Sequence, residues 1–84
     1  MPRFTVRQGK RYQATIRLGL FQSMASNERV AEEFGKVGFT DVAVTGSGRT
    51  RIAEGSWIQQ ETSADIPDVI SDIREIGPSR QVEA

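Results

Sequence analysis

The chain has 84 residues, eleven of them Lys or Arg and eleven Asp or Glu, and it contains neither cysteine nor histidine. That length holds one small domain with a single core, and the missing residue types exclude disulfide staples, cysteine nucleophiles, imidazole bases, Ser-His-Asp triads and the common zinc sites. The balanced charge supplies no global field toward nucleic acid or an anionic membrane, so neither is expected as a partner.

Met1 to Arg11 alternates polar and apolar residues without a continuous apolar run. It reads as neither signal peptide nor transmembrane segment, and the expected location is the cytoplasm. Phe4 and Val6 alternate with polar residues, Gly9 interrupts, and Tyr12, Ala14, Ile16, Leu18 and Leu20 form a longer alternating run. A hairpin with Arg7 and Gln8 in a type I turn and Gly9 left-handed would pair Val6 with Lys10 and Phe4 with Tyr12. The rival two-residue turn at Gly9-Lys10 would place Phe4 and Val6 on the wrong face, so the bulged turn is preferred.

After Phe21, residues Val30, Ala31, Phe34 and Val37 recur at helical spacing. Ser26 is the expected N-cap, Ala25 and Val30 have the spacing of a hydrophobic staple, and Gly38 ends the helix with Phe39 folding back on its last turn. Period two then returns. Thr40, Val42 and Val44 face inward, Gly46-Ser47-Gly48 turns the chain, and Thr50 and Ile52 come back on the same face. Beyond Trp57, the residues Ile66, Val69, Ile70, Ile73 and Ile76 suggest a second helix, with Asp65 as cap, Pro67 in the first turn and Gly77-Pro78 as stop. Isoleucine-rich helices have weak intrinsic propensity, so this one must be held by burial.

The stretch Ile16–Val37 also reads as a copy of Ile52–Ile73, 36 positions on: Gly19 meets Gly55, Phe21 meets Trp57, and Phe34 meets Ile70. Two strand-helix-strand copies give an α+β, ferredoxin-like antiparallel four-stranded sheet with both helices on one face. The fourth strand is poorly supplied by residues 79–84, so the N-terminal hairpin strand takes its place. The expected order is the strand at 4–8, then 10–20, 49–54 and 40–45, within one domain over residues 1–78 followed by a flexible tail at 79–84. Its predicted core is Ile16, Leu18, Ile52, Val30, Phe34, Ile66, Ile70 and Ile73.

Thr15-Ile16-Arg17-Leu18-Gly19-Leu20-Phe21, then Ser23, Asn27-Glu28-Arg29-Val30-Ala31 and Gly38-Phe39, resemble the SPOR (sporulation-related repeat) domain. Arg51-Ile52-Ala53-Glu54-Gly55-Ser56-Trp57 is similar to that family's second strand-glycine-aromatic element. The resemblance runs from Ala14 to Ile76, with Arg17 standing where the family commonly has glutamine. It implies a non-catalytic module that binds peptidoglycan glycan strands on its open sheet face, through Gln13, Thr15, Arg17, Arg49 and Arg51.

Those arginines also carry a reading of their own. Pairing Thr45 with Arg49 and Ala43 with Arg51 puts three guanidinium groups on the helix-free face, able to hold a phosphate, a carboxylate or an acidic partner segment. The plainer alternative is a solubilising surface. Trp57 offers a flat stacking surface for a sugar, or else, with Phe21, caps the core where strand meets helix.

Glu28, Glu32 and Glu33, and Asp65, Asp68 and Asp72, read as solvated helix faces rather than metal ligands, and no cofactor or metal is expected. Gly46-Ser47-Gly48-Arg49 precedes a strand and lacks a Gly-Lys-Ser/Thr ending, which makes it a turn and not a phosphate loop. A small non-enzymatic binding module is therefore the expected function. The alternative is an assembly protein, a homodimer that joins open sheet faces or edges.

Overall fold

A computed structural model describes residues 3–19 and 25–78. The expectations for Leu20 and Phe21 and for the tail at 79–84 lie outside the described residues. Six strands and one helix follow in chain order: β1 (Arg3–Val6), β2 (Lys10–Arg17), α1 (Asn27–Val37), β3 (Thr40–Ser47), β4 (Thr50–Trp57), β5 (Thr62–Asp65) and β6 (Ile70–Pro78). Strands β3-β4-β2-β6 form one antiparallel sheet, and β1 pairs with β5 as a separate two-stranded ribbon. The chain is thus mostly β, and the expected ferredoxin-like plan with two helices on a four-stranded sheet is overturned.

The first half follows its sequence signals closely. Ser26 caps α1, its hydroxyl accepting from the Arg29 N–H at 3.1 Å, and Gly38 ends it with φ 130°. A side chain at Gly38 would collide with the Trp57 ring and Gln59, so glycine is needed there for space as well as for conformation. Phe39 folds back onto Phe34 with ring centroids 5.3 Å apart.

The N-terminal hairpin does not form. Lys10 N–H donates to Arg7 O at 3.3 Å and Gly9, third in that turn, has φ 82°, the pattern of a type II turn. Turns of this hand splay the flanking strands, so β1 leaves β2 and pairs with β5 instead.

Where a second helix was expected, the structure has β6 beside β2. Its register skips Ser71 between the pairs Ile16↔Ile70 and Thr15↔Asp72, and skips Ile76 between Tyr12↔Glu75 and Arg11↔Gly77. Each skip is a bulge, which inserts one residue into the period-two pattern. The bulge at Ser71 turns the two-residue interval into three, so Ile70 and Ile73 share a face although the segment is extended. A spacing of three imitates one helical turn. The β-branched composition, which favours a pleated strand over a helix, decides the outcome.

The β3–β4 hairpin forms with a different register, Ser47↔Thr50 and Thr45↔Ile52, around a two-residue turn at Gly48-Arg49. Against the expected pairing of Thr45 with Arg49 the shift is odd, and an odd shift exchanges the faces of β4. Arg51 and Ala53 therefore face α1 beside Ile16 and Ala14, while Ile52 lies on the opposite side of the sheet. Two buried clusters result, Ile16, Leu18, Val30 and Ala53 in one and Tyr12, Phe39 and Trp57 in the other, with Phe34 packed against both. Ile52 is not part of either.

Candidate functional site

The two faces of the four-stranded sheet have opposite characters. On the side away from α1, Arg74 Nη2 donates to Gln13 Oε1 at 2.9 Å and Gln13 Nε2 donates to Glu54 Oε2 at 3.0 Å. Arg11 Nη1 continues the line to Ser56 Oγ at 2.9 Å and Asp41 O at 3.0 Å, while its Nε lies 3.7 Å from Glu54 Oε1. This chain of contacts crosses all four strands and balances its own charge. Arg11, 5 % exposed, is its anchor; sequence reasoning missed it, although the period-two alternation that puts it on one face with Gln13 and Thr15 was the signal for it.

The expected arginine cluster is not assembled there. Arg17 is exposed at the end of β2, and Gln13 and Thr15 lie on the predicted face. Arg49 sits in the β3–β4 turn with its Nε 3.4 Å from Leu18 O. Arg51 is on the other side, 4 % exposed, donating to Asn27 Oδ1 and Ala25 O, both at 2.8 Å, and to Gly48 O at 3.0 Å. It clamps the start of α1 to the β3–β4 hairpin. Trp57 is buried, its Nε1–H donating to Gln60 O at 2.9 Å, so it offers no stacking surface to solvent beside those arginines.

On the helix side the layer is incomplete. α1 packs on β3, leaving the β2–β6 half of an apolar sheet face to the ribbon and to the connection between β5 and β6. Alternation along the ribbon sends Arg3, Thr5, Ser63 and Asp65 to one side, where Arg3 Nη1 meets Asp65 Oδ1 at 3.1 Å, and packs Phe4 and Val6 on the other against Tyr12, Phe39 and Trp57, while β5 stays exposed along its length. Beside them lies a half-open cavity of about 280 Å³ walled by Phe34, Phe39, Trp57 and Ile73. A second cleft, of about 520 Å³, opens beside it over Ile16, Leu18 and Val69. Phe34 and Val37 from α1, with Pro67 and Ile70 opposite, border both spaces and form a waist between them.

The polar groups that line the inner cavity are occupied. Thr62 Oγ1 donates to Gln60 O at 3.0 Å, as Trp57 does, while Asp65, at the edge, turns its carboxylate out to Arg3. The outer cleft has Arg29 and Glu33 at its rim, 3.7 Å apart. Val37, 69 % exposed, is an apolar residue left standing in solvent at the waist. Among the described residues no cluster of acidic side chains is arranged to hold a metal ion, and no helix is long and apolar enough to cross a membrane.

This cleft was not legible as a site because Ile66, Ile70 and Ile73 read as the buried stripe of a helix. The usable signal was their β-branching and the break at Pro67, which together argue for two extended segments.

No family model matches the chain, and no curated protein or solved structure does either. The likeness to SPOR domains rests on the sequence motifs alone.

Proposed function

We propose that the protein is a small non-enzymatic binding module whose ligand site is the apolar cleft between α1, the β1–β5 ribbon and β6. The observation that carries this reading is the pairing of a carbon-lined cavity with polar neighbours already bonded to the protein. Such a space favours apolar matter over water, and pockets that bind small molecules are largely apolar. The sheet-face alternative has less behind it, since Gln13 is bonded on both sides and the acidic and basic groups there answer one another.

The test is 1-anilinonaphthalene-8-sulfonate at neutral pH, followed by two-dimensional NMR. Saturable enhancement is expected, with shifts on Phe34, Val37, Ile70 and Trp57. Shifts confined to Gln13, Thr15 and Arg17, or a mass that rises with concentration while the probe stays dark, would favour the sheet-face or the assembly reading instead.

A further inference from the structure

We propose that β5 takes an extended peptide segment of another protein as a third strand of the ribbon, seating one apolar side chain of that segment in the half-open cavity and a basic residue opposite Asp65. This rests on the binding-module reading and names its ligand class. β5 is paired on one side only, by β1, and is exposed along its length. In an antiparallel pair alternate residues turn their N–H and C=O groups to the free side, so two of its four residues present both groups outward. Among the described residues no second backbone segment meets them.

The cavity lies along that edge. Phe4 and Val6 close the β1 side by packing on Tyr12, Phe39 and Trp57, whereas the lining side chains of β5 include only the short Thr62 and Ala64. Val37, which also lines the space, is 69 % exposed. The cavity therefore opens toward β5 and the end of α1. A residue added opposite Ala64 shares its face and turns its side chain into that opening, while its neighbours point away with Ser63 and Asp65. An open backbone edge beside an apolar recess supplies both parts of a strand-addition site, main-chain bonds for affinity and a pocket for alternate side chains. A compact apolar molecule would fill the recess and leave the edge unpaired.

Charge narrows the partner further. From Glu61 to Asp68 the chain carries three carboxylates, Glu61, Asp65 and Asp68, and no basic residue. Among the described residues Asp65 alone of these has an ion-pair partner, Arg3. The strip thus keeps an excess of negative charge, which suits lysine or arginine beside the apolar residue. Pairing β5 with the β5 of a second copy would set two such strips together, and like charge opposes that. The edges of the four-stranded sheet are less open to addition. β6 is bulged twice and ends in Pro78, and on β3 the Asn27 amide already donates to Gly46 O at 3.1 Å.

The test is a capped peptide of alternating leucine and threonine with lysine at each end, titrated into the full chain. Emission of Trp57, the sole tryptophan and a wall of the cavity, and amide hydrogen exchange are followed together. Saturable binding is expected, with exchange slowed on β5 and unchanged on β3 and β6. Methylating the leucine nitrogens in one peptide and the threonine nitrogens in another keeps every side chain but blocks opposite edges of the added strand. One form should lose about tenfold or more in affinity while the other binds like the parent. Glu61→Gln combined with Asp68→Asn, both exposed, should weaken the lysine peptide about threefold at low salt without moving the urea midpoint.

No binding by the parent peptide, equal binding by the two methylated forms, protection on β3 or β6 instead of β5, or a glutamate-ended peptide binding as tightly as the lysine one would each overturn the strand-addition assignment. Slowed β5 exchange that grows with protein concentration in the absence of peptide would overturn it in favour of self-pairing. In each case saturable binding of the anilinonaphthalene dye would leave an apolar binding module standing. Failure of peptide and dye together would remove both.

Discussion

Arg51 shows how much a single side chain contributes when its face is exchanged. Its guanidinium satisfies three acceptors, two at the start of α1 and one in the β3–β4 turn, and Asn27 completes the junction by donating Nδ2–H to Gly46 O at 3.1 Å. Removing a charged donor from such a buried site leaves those oxygens short of partners, so Arg51→Ala should cost about 2–3 kcal/mol in urea unfolding. Arg17→Ala, on an exposed side chain, should cost almost nothing. Tyr12 gives a pH signature. Burial of its phenol raises the pKa above the usual tyrosine value, the Arg7 N–H at 2.6 Å opposes that, and nearby Glu75 raises it again. A raised folded-state pKa means that the contribution is fully present below about pH 10, the unfolded value, and is lost as pH rises through the folded one. Tyr12→Phe should therefore be less stable by about 1 kcal/mol at neutral pH, and the gap from wild type should close in alkaline urea titrations.

Among the elements, β6 separates a helical from an extended reading most sharply. Deleting Ser71 would remove one bulge while keeping Ile70 and Ile73 on the same face, so a cooperative transition should survive with a loss of about 1 kcal/mol, including the Ser71–Thr15 bond. In a helix the same deletion would rotate everything beyond it by one residue and break the stripe. An Ala14–Ile73 nuclear Overhauser contact retained in the deletion variant is the check. Phe34 packs against both clusters, and Phe34→Ala should cost about 3 kcal/mol and loosen Trp57 as well as Val30. The legible elements were those with local punctuation: Ser26 and Gly38 bound α1, and alternation marks β2 to Leu18 and β3 through Val42 and Val44. Illegible were choices made over distance. Nothing local at Gly48 says whether the turn has two residues or three, yet that difference sends Arg51 inward and Ile52 outward. At β6 the bulges erase the period by which a strand is recognised, and with it the outline of the cleft.

For the molecule as a whole, the ribbon stands where a second helix would complete the layer, and it joins the N-terminal strand to a segment some sixty residues on: Arg3 opposite Asp65 and Val6 opposite Thr62. The four-stranded sheet and α1 make their own contacts, so deleting residues 1–7 should keep the far-UV signature of the sheet. Phe4 and Val6 would be gone from the wall of the cavity that Trp57 lines. Trp57 emission should then shift to the red, and binding of apolar probes should be lost together with it. A truncated chain that kept a blue Trp57 spectrum would show that the ribbon is not the cover.

The isoleucine spacing around Ser71 also bears on how the chain reaches its fold. A segment with helical spacing can sample a helix within about a microsecond, before β2 and β6, some sixty residues apart in the pairing Ala14↔Ile73, can meet across a long loop. Spacing and composition pull in opposite directions there, the three-residue interval toward a helix and the β-branched side chains toward a strand. Stopped-flow refolding should accordingly pass through more helix than the native state contains, and a peptide from Asp65 to Gly77 should turn helical in trifluoroethanol. The slow step in folding would then be the long-range pairing of β6 with β2, since a helix that forms within about a microsecond also unwinds on that scale.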